Sequence, residues 1–380
     1  MLHTIFVLTE VAFHPGTIPS ELGVISSLGV LWLSNNNLNG TLPSELAMMS
    51  KVNSFDISQN DISGTIPSEF SMLTDMLYLE LDGCNLTGAV PSELGLLQKL
   101  SSLKLSENML SGSIPSEFGM MTHLKWLSLN MNTLIGSVPS ELGLLTLLEQ
   151  LFLMNNVLHG SIPSELGSNV NLPVLSLNNN LLSGAIPSEM GLMTGMTLLG
   201  LFSNRLSGSL PSELGQMTRL AALSLVNNSI SGTLPSELGL MTSSFALSLN
   251  GNSFTGTIPS EIGMLTNIKI ALNFRNNLLS GRLPSEVGQL TDLEVLDLSN
   301  LTMMTGFLPS ELSLLTRLVQ TNFSGSSGIS GTLPSGLCDL LDPSCSYFDL
   351  RDGQSKNCSL EFDCGTSLCG CDCPCTNDSP

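Results

Sequence analysis

The stretch Leu-Ser-Gly-Ser-Ile-Pro-Ser-Glu-Phe-Gly, residues 110–119, recurs along most of the chain and decides its fold. Its proline returns every 24 residues from Pro19 to Pro259, and then every 25 residues to Pro334. A glycine stands three positions before each of these prolines, and a serine follows each one. A fixed period of this length indicates a solenoid of stacked repeats.

A single repeat, residues 124–143, shows how the period translates into local structure. Leu127 and Leu129 alternate with Trp126 and Ser128, which predicts a short strand with one buried face. Further along, Gly136 permits a positive-φ bend. The proline and serine that follow predict the start of a helical turn, with the serine as its N-cap.

An asparagine follows the predicted strand in most repeats. A side-chain amide there is expected to bond buried backbone groups of its own and adjacent turns. Cys84 stands in the same column, where a thiol fits as a small buried weak donor. The predicted structural asparagines are Asn36, Asn60, Asn108, Asn132, Asn156, Asn180, Asn204, Asn228, Asn252 and Asn277.

The sequence Leu124-x-x-Leu-x-Leu-x-x-Asn-x-Leu134, with the later Gly-x-Val-Pro-x-x-Leu-Gly, resembles plant-type leucine-rich-repeat proteins. That subclass is found in plant receptor ectodomains and polygalacturonase-inhibiting proteins, and the resemblance covers residues 11–337. It implies an α/β solenoid of about 13–14 repeats, wound as a right-handed superhelix. A concave parallel β-sheet and short 3-10 or helical segments on the convex side are expected.

Three segments are predicted. Residues 1–23 are a degenerate first repeat or a truncated N-terminus, and we favour a start inside a longer protein. Their apolar run is broken by Thr9 and Glu10 and lacks a basic region, so it is not a convincing signal peptide. Residues 24–337 form the solenoid, and residues 338–380 form a cysteine-rich cap and tail.

The last segment holds eight of the nine cysteines. An even number in a short polar stretch predicts a disulfide-stapled cap, whose pairing stays open. A thiolate metal cluster is the alternative, although the Cys-x-Cys spacing differs from common zinc sites. The disulfide candidates are Cys338, Cys345, Cys358, Cys364, Cys369, Cys371, Cys373 and Cys375.

The net charge of −20 comes largely from the glutamate of each Pro-Ser-Glu. Repulsion between neighbouring carboxylates is nearly offset by the positive end of a helical turn, so a solvated face is expected. A surface for divalent cations or a basic partner is the alternative. The acidity argues against nucleic acid as a partner.

The sequence shows no catalytic constellation and implies no cofactor. The histidines His3, His14, His123 and His159 are scattered, and none pairs with a cysteine or acid at metal-ligand spacing. We therefore expect that the chain is not an enzyme and has no metal site.

The cysteine-rich cap and the glycosylation sequons favour an extracellular or cell-surface setting. No apolar run of about 20 residues is present, so a membrane anchor would belong to a longer gene product. The candidate glycosylation sites are Asn39, Asn85, Asn227, Asn300, Asn322, Asn357 and Asn377.

The outward positions of the predicted strands form the best binding-site candidate, because aromatic residues are enriched at interfaces. The alternative is that single exposed aromatics are ordinary surface residues. The ligand-binding candidates on this concave face are Trp32, Asp56, Tyr78, Glu80, Asp82, Lys104, Trp126, Phe152, Phe202 and Arg275.

A second column of small residues follows each repeat glycine. Regular hydroxyls suit the ordering of water or ice, but we expect the column to edge a second short sheet, as the resemblance implies. Its members are Thr17, Thr41, Thr65, Ala89, Ser113, Ser137, Ser161, Ala185, Ser209, Thr233, Thr257, Arg282, Phe307 and Thr332.

The predicted function is non-catalytic recognition of a protein, peptide or glycan on the concave face. Among the roles that the resemblance implies, a cell-surface receptor-like ectodomain comes first. A secreted inhibitor of a wall-degrading glycoside hydrolase comes second. A structural, adhesive or ice-binding protein is a further alternative.

Overall fold

The computed structural model describes residues 4–7, 16–330, 346–349 and 354–357. The chain divides into two compact units, Met1–Met196 and Thr197–Pro380. Each unit is built from stacked repeats, and most of the described repeats contribute one strand of the main sheet, one short segment of a second sheet and one 3-10 turn. The predicted fold class, a leucine-rich-repeat solenoid, is confirmed.

The strands of the main sheet come from the Leu-x-Leu part of each repeat and pair in parallel with their neighbours. In the first unit they are Thr4–Val7, Leu28–Trp32, Ser54–Asp56, Tyr78–Glu80, Ser102–Lys104, Trp126–Ser128, Gln150–Phe152 and Val174–Ser176. In the second unit they are Leu198–Gly200, Ala222–Ser224, Ala246–Ser248, Ala271–Asn273, Val295–Asp297 and Gln320–Asn322.

The register places identical repeat positions side by side. Leu103, Leu127 and Leu151 are direct partners on adjacent strands, and all three are fully buried. Because side chains alternate across a strand, the residues that flank this leucine column point to the opposite, outer face. We call that outer face the sheet face.

The second half of each repeat turns through a five-residue 3-10 segment. In the first unit these are Ser20–Val24, Ser44–Met48, Ser68–Met72, Ser92–Leu96, Ser116–Met120, Ser140–Leu144, Ser164–Ser168 and Ser188–Leu192. In the second unit they are Ser212–Gln216, Ser236–Leu240, Ser260–Met264, Ser285–Gln289 and Ser310–Leu314.

The prediction that Ser140 caps this turn is wrong. Pro139 holds the cap position in extended conformation, and no side chain bonds the free backbone amides. In so short a turn the Leu142 amide already bonds the Pro139 carbonyl at 3.2 Å. The Ser140 hydroxyl instead lies 3.3 Å from the Glu141 carboxylate.

Short parallel strands beside the proline form the second sheets. In the first unit these are Gly16–Thr17, Leu38–Asn39, Ser63–Gly64, Asn85–Ala89, Met109–Ser111, His159–Gly160 and Leu181–Gly184. In the second unit they are Arg205–Leu206, Ser231–Thr233, Ser253–Thr255, Ser280–Gly281, Met303–Met304, Gly306–Phe307 and Ile329–Ser330. Two more strands, Ser346–Asp349 and Gln354–Asn357, pair antiparallel.

Close stacking of the 3-10 turns requires a small residue. A Cβ placed on Gly143 would lie 2.3 Å from the backbone oxygen of Glu165 in the next repeat. The small residue that recurs at the Gly143 position of each turn therefore determines how closely one repeat packs on the next. Gly136 has φ of +83°, in the left-handed region that glycine adopts without strain.

Candidate functional site

The asparagine column closes the end of most strands. The Asn132 Nδ2 atom donates to the carbonyl oxygens of Leu105, Leu129 and Asn130 at 3.0, 3.2 and 3.3 Å. Its Oδ1 atom accepts from the Leu110 amide at 2.9 Å. One buried side chain thus provides hydrogen-bond partners for backbone groups of two repeats. It thereby fixes the end of the strand that carries the sheet-face residues.

Cys84 occupies the same column with fewer contacts. Its Sγ atom lies 3.5 Å from the Ile57 oxygen and 3.7 Å from the Asp82 oxygen. Burial raises the pKa of this thiol above its usual range. The side chain is therefore a buried thiol in a structural position, away from the sheet face.

Sheet-face residues of the first unit form what we call the aromatic–acidic patch. It extends over five adjacent strands, from Leu28–Trp32 to Trp126–Ser128, and spans about 19 Å at the usual strand spacing. Trp32 and Tyr78 are each 45% exposed, and Trp126 is 39% exposed. The patch comprises Trp32, Ser54, Asp56, Tyr78, Glu80, Asp82, Ser102, Lys104 and Trp126.

Strand register arranges these side chains in two rows. Trp32, Asp56, Glu80 and Lys104 are successive partners in one row. The neighbouring row reads Ser54, Tyr78, Ser102 and Trp126. Charged groups therefore run alongside aromatic groups that are separated by small serines.

Lys104 links the two rows. Its Nζ atom lies 2.8 Å from the Glu80 carboxylate and 5.4 Å from the centre of the Trp126 ring. An ammonium at this distance from an indole face is attracted by the ring quadrupole. The side chains of Lys104 and Glu80 are only about one-quarter to one-third exposed. Solvent therefore weakens this ion pair less than it weakens fully exposed surface pairs.

Ser54 and Ser102, the two serines in the row of Tyr78 and Trp126, are both buried. The Trp32 Nε1 atom donates to the Ser54 hydroxyl at 2.8 Å. Ser102, which is the register partner of both Tyr78 and Trp126, is 1% exposed, and its hydroxyl has no hydrogen-bond partner among the described protein atoms. The patch thus contains one buried polar group whose bonding capacity is unused.

Asp82 stands at the edge of the patch. Its Oδ1 atom accepts from the Ser106 amide at 2.9 Å and from the Ser106 hydroxyl at 2.6 Å. Burial raises the pKa of its carboxyl above the ordinary 3.8, although the bonds from Ser106 oppose that shift. Ionisation of Asp82 therefore costs free energy in the folded state.

We expect Asp82→Asn to raise the free energy of unfolding at neutral pH. The folded state holds the Asp82 proton more tightly than the unfolded state, so the penalty is present above the raised pKa. It fades as the pH falls toward and below 3.8, where both states are protonated. Asparagine already occupies the equivalent position at Asn130 and Asn178.

Denaturant titrations at neutral and acid pH check this expectation. A gain for Asp82→Asn at neutral pH that disappears below pH 3.8 agrees with it. A loss of stability at neutral pH would show that the carboxylate is favourable in the folded protein.

Three other predicted site residues lie outside the patch. Phe152 is half-buried on the next strand of the first unit, in register with Ser128 and Ser176. Phe202 and Arg275 belong to the second unit and are also half-buried. The Nε atom of Arg275 is buried without a hydrogen-bond partner among the described residues.

Other predictions fall partly outside the structure. Asn85, Asn227 and Asn300 are exposed, whereas Asn39 and Asn322 are half-buried. The eight cap cysteines and Asn377 lie outside the described residues, and Asn357 is described only as part of a strand. Within the described ranges no group of three His, Cys, Asp or Glu side chains is placed to hold a metal, and no helix is long and apolar enough to cross a membrane.

An exposed apolar ridge was missed in the sequence. It consists of the last residue of most 3-10 turns, which is exposed while the residues before and after it are buried in most of these turns. The signal was available, because the same repeat position is leucine or methionine in most repeats. In the first unit the ridge comprises Val24, Met48, Met72, Leu96, Met120, Leu144 and Leu192, and in the second unit Leu240, Met264 and Leu314.

Comparisons with known proteins agree with this geometry. The family model described as Leucine Rich Repeat matches residues 27–49, 51–73, 99–121 and 246–265. Among solved structures, a TDR receptor is 31% identical with a TM-score of 0.78, over 86% of this chain. The match covers 56% of the receptor chain, so this chain spans little more than half of that structure. A search of curated protein sequences finds no match.

Two further structures match a larger share of their own length. A leucine-rich-repeat protein of Leptospira interrogans is 31% identical with a TM-score of 0.61, over 91% of this chain and 86% of that one. A plant ice-binding protein is 30% identical with a TM-score of 0.53, over 60% of this chain and 73% of that one. On this evidence the chain belongs to the leucine-rich-repeat family, with repeats of the plant type.

Proposed function

We propose that the chain is a non-catalytic recognition protein that binds an extended peptide, or an extended segment of a protein, on the sheet face of its first unit. The role that fits best is that of a receptor-like ectodomain outside the cell. The observation that carries the proposal is the aromatic–acidic patch, in which exposed aromatic side chains alternate with charged groups on five adjacent strands.

The dimensions of the patch suit such a ligand. About 19 Å of sheet face accommodates roughly five or six residues of extended chain. Exposed tryptophan and tyrosine are the side chains that most often dominate binding energy when a partner covers them. The similarity to a TDR receptor supports a receptor role for this chain.

The sheet face of the second unit offers less to a ligand. At the repeat position of Tyr78 and Trp126 it has Ala222, Ala246 and Ala271, and at the position of Asp56 and Lys104 it has Ser224 and Ser248. Short side chains bury little area against a partner. We therefore place the main binding energy in the first unit.

The double variant Trp32→Ala, Trp126→Ala is expected to weaken binding of a captured peptide at least about tenfold. Peptides are first captured from a random linear library on the wild-type protein, and their affinities are then measured by calorimetry. Phe245→Ala is the matched control, since Phe245 is an exposed aromatic directly before the strand Ala246–Ser248 of the second unit. Equal losses in both variants, or none, would contradict a binding site at the patch.

Ice binding is a second candidate, because one surface column favours it. Thr17, Thr41 and Thr65 are exposed at the same position of successive repeats. The similarity to a plant ice-binding protein supports this alternative. However, Ala89, Ala185, Arg282 and Phe307 interrupt the column. Thermal hysteresis of the purified protein tests this function, and we expect none.

We further propose a secretory route, supported by the eight cysteines of residues 338–380 and by exposed sequons at Asn85 and Asn227. The intact mass before and after deglycosylation, together with a free-thiol count, tests it. Glycan mass and a cap without free thiols are expected. A bare chain with titratable cap thiols would contradict an extracellular role.

A further inference from the structure

The chain itself shows how its sheet face holds a positive charge. The Lys104 ammonium is bonded to the carboxylate of Glu80 on the preceding strand and lies over the ring of Trp126 on the following strand. A carboxylate and an aromatic face together attract a cation more strongly than either group alone.

A related set of groups stands two strands earlier without a cation. Asp56 lies between Trp32, its register partner on the preceding strand, and Tyr78, which belongs to the neighbouring row on the following strand. Tyr78 stands to Asp56 as Trp126 stands to Lys104. Among the described residues, no lysine or arginine pairs with Asp56.

The Asp56 carboxylate is oriented by its own loop. Its Oδ1 atom accepts from the Ser58 amide at 2.9 Å and from the Ser58 hydroxyl at 2.6 Å. The indole of Trp32 is anchored in turn by its bond to Ser54. The Asp56 carboxylate and the Trp32 indole are therefore both held in place before any ligand binds. This lowers the entropic cost of binding.

We infer that Trp32, Asp56 and Tyr78 form a subsite for a basic side chain, arginine or lysine, of the bound peptide. This inference rests on the proposed function and names the chemistry of one ligand position. The side chain's cation lies against the Asp56 carboxylate and between two aromatic side chains, which are contacts of the same kinds as those of Lys104 with Glu80 and Trp126.

Ser102 is an independent observation that points to a ligand beside this subsite. Its hydroxyl is nine-tenths buried or more, has no partner and is the register partner of Tyr78, which forms one wall. A buried hydroxyl without a partner is unfavourable. A ligand N–H group that reaches past Tyr78 supplies the missing bond.

The test compares two variants that remove the same charge from the same row. Asp56→Asn removes the carboxylate of the proposed subsite. Asp297→Asn is the matched control, because Asp297 accepts from the Ser299 amide at 3.0 Å and from the Ser299 hydroxyl at 2.6 Å. No aromatic residue flanks Asp297 in register, where its partners are Asn273 and Asn322.

A random linear peptide library is selected on the wild type and on both variants. Peptides from the wild type and from Asp297→Asn are expected to share an arginine or lysine at one position. Selection on Asp56→Asn is expected to lose that preference. For a selected peptide, replacement of the basic residue by glutamine should weaken binding to the wild type about tenfold, and binding to Asp56→Asn much less.

Two negative outcomes are distinguishable. If peptides bind the wild type but show no basic preference, or if both variants behave alike, the subsite is wrong while peptide recognition stands. If no peptide is captured above the level of the Trp32→Ala, Trp126→Ala protein, the proposed function fails and the subsite fails with it.

Discussion

Replacing Asn132 with leucine is expected to lower the free energy of unfolding by about 3 kcal/mol. The side chain is buried and bonds three carbonyl oxygens and one amide from two repeats. Leucine has a similar size but bonds none of them, so several buried backbone groups lose their partners. Denaturant titration monitored by circular dichroism gives the loss, and hydrogen exchange shows whether the neighbouring repeats open first.

Cys84→Asn is the converse substitution in the same column, because it adds a side-chain amide instead of removing one. It restores a side-chain amide where the thiol now makes two weak contacts, and we expect a gain of about 1 kcal/mol. If Asn132→Leu costs nothing, or if Cys84→Asn destabilises the protein, the asparagine column does not stabilise the strand ends in the way its bonds suggest.

Phe118→Ala is expected to cost about 3–5 kcal/mol, the usual range for emptying a buried aromatic site. Phe118 is fully buried in the turn Ser116–Met120. The equivalent residue in the flanking turns is Leu94 or Leu142, both also buried. Phe118→Leu therefore introduces a side chain that this position already accepts elsewhere.

The leucine variant serves as the control and should cost less than about 1.5 kcal/mol. Unfolding in denaturant, followed for both variants, separates the effect of lost volume from any special need for a ring. Equal losses for alanine and leucine would mean that the aromatic shape, and not the filled volume, stabilises this repeat.

Much of the fold was predictable because the period forces it. A repeat cannot bury Leu127 and Leu129 alone, so neighbours must stack, and equal repeat lengths keep the strands in register. Glycines at fixed positions were also interpretable, because Gly136 adopts positive φ and Gly143 leaves room for the next repeat. The fold follows from pattern and spacing, which a single sequence contains in full.

Details of the turns were not predictable from the same pattern. The cap assigned to Ser140 assumed an α-helix, whereas a five-residue 3-10 turn satisfies its amides differently. The residue before the asparagine column adopts positive φ at Gln59, Glu107 and Met131. Most repeats have asparagine or glycine at that position, which adopt positive φ readily, whereas at these three residues the surrounding contacts impose the conformation.

The candidate site was predictable by position but not by contact. Period-two alternation assigned Trp32, Tyr78 and Trp126 to the outer face, since adjacent leucines define the inner one. That Lys104 bonds Glu80 and covers Trp126 depends on rotamers of long side chains, which no sequence pattern fixes. The burial of Ser102, which is 1% exposed, likewise depends on side-chain packing that no sequence pattern fixes.

The stacking of identical contact surfaces has a consequence for how such a gene changes over generations. Loss of residues 148–171 would join Leu147 to Leu172 and leave Gly143 facing Glu189 in place of Glu165. The strand Trp126–Ser128 would then pair with Val174–Ser176 through the same leucine column. Replication errors that remove or add one repeat are therefore expected to give shorter or longer proteins that still fold. The number of repeats can thus change between generations, and selection can act on it.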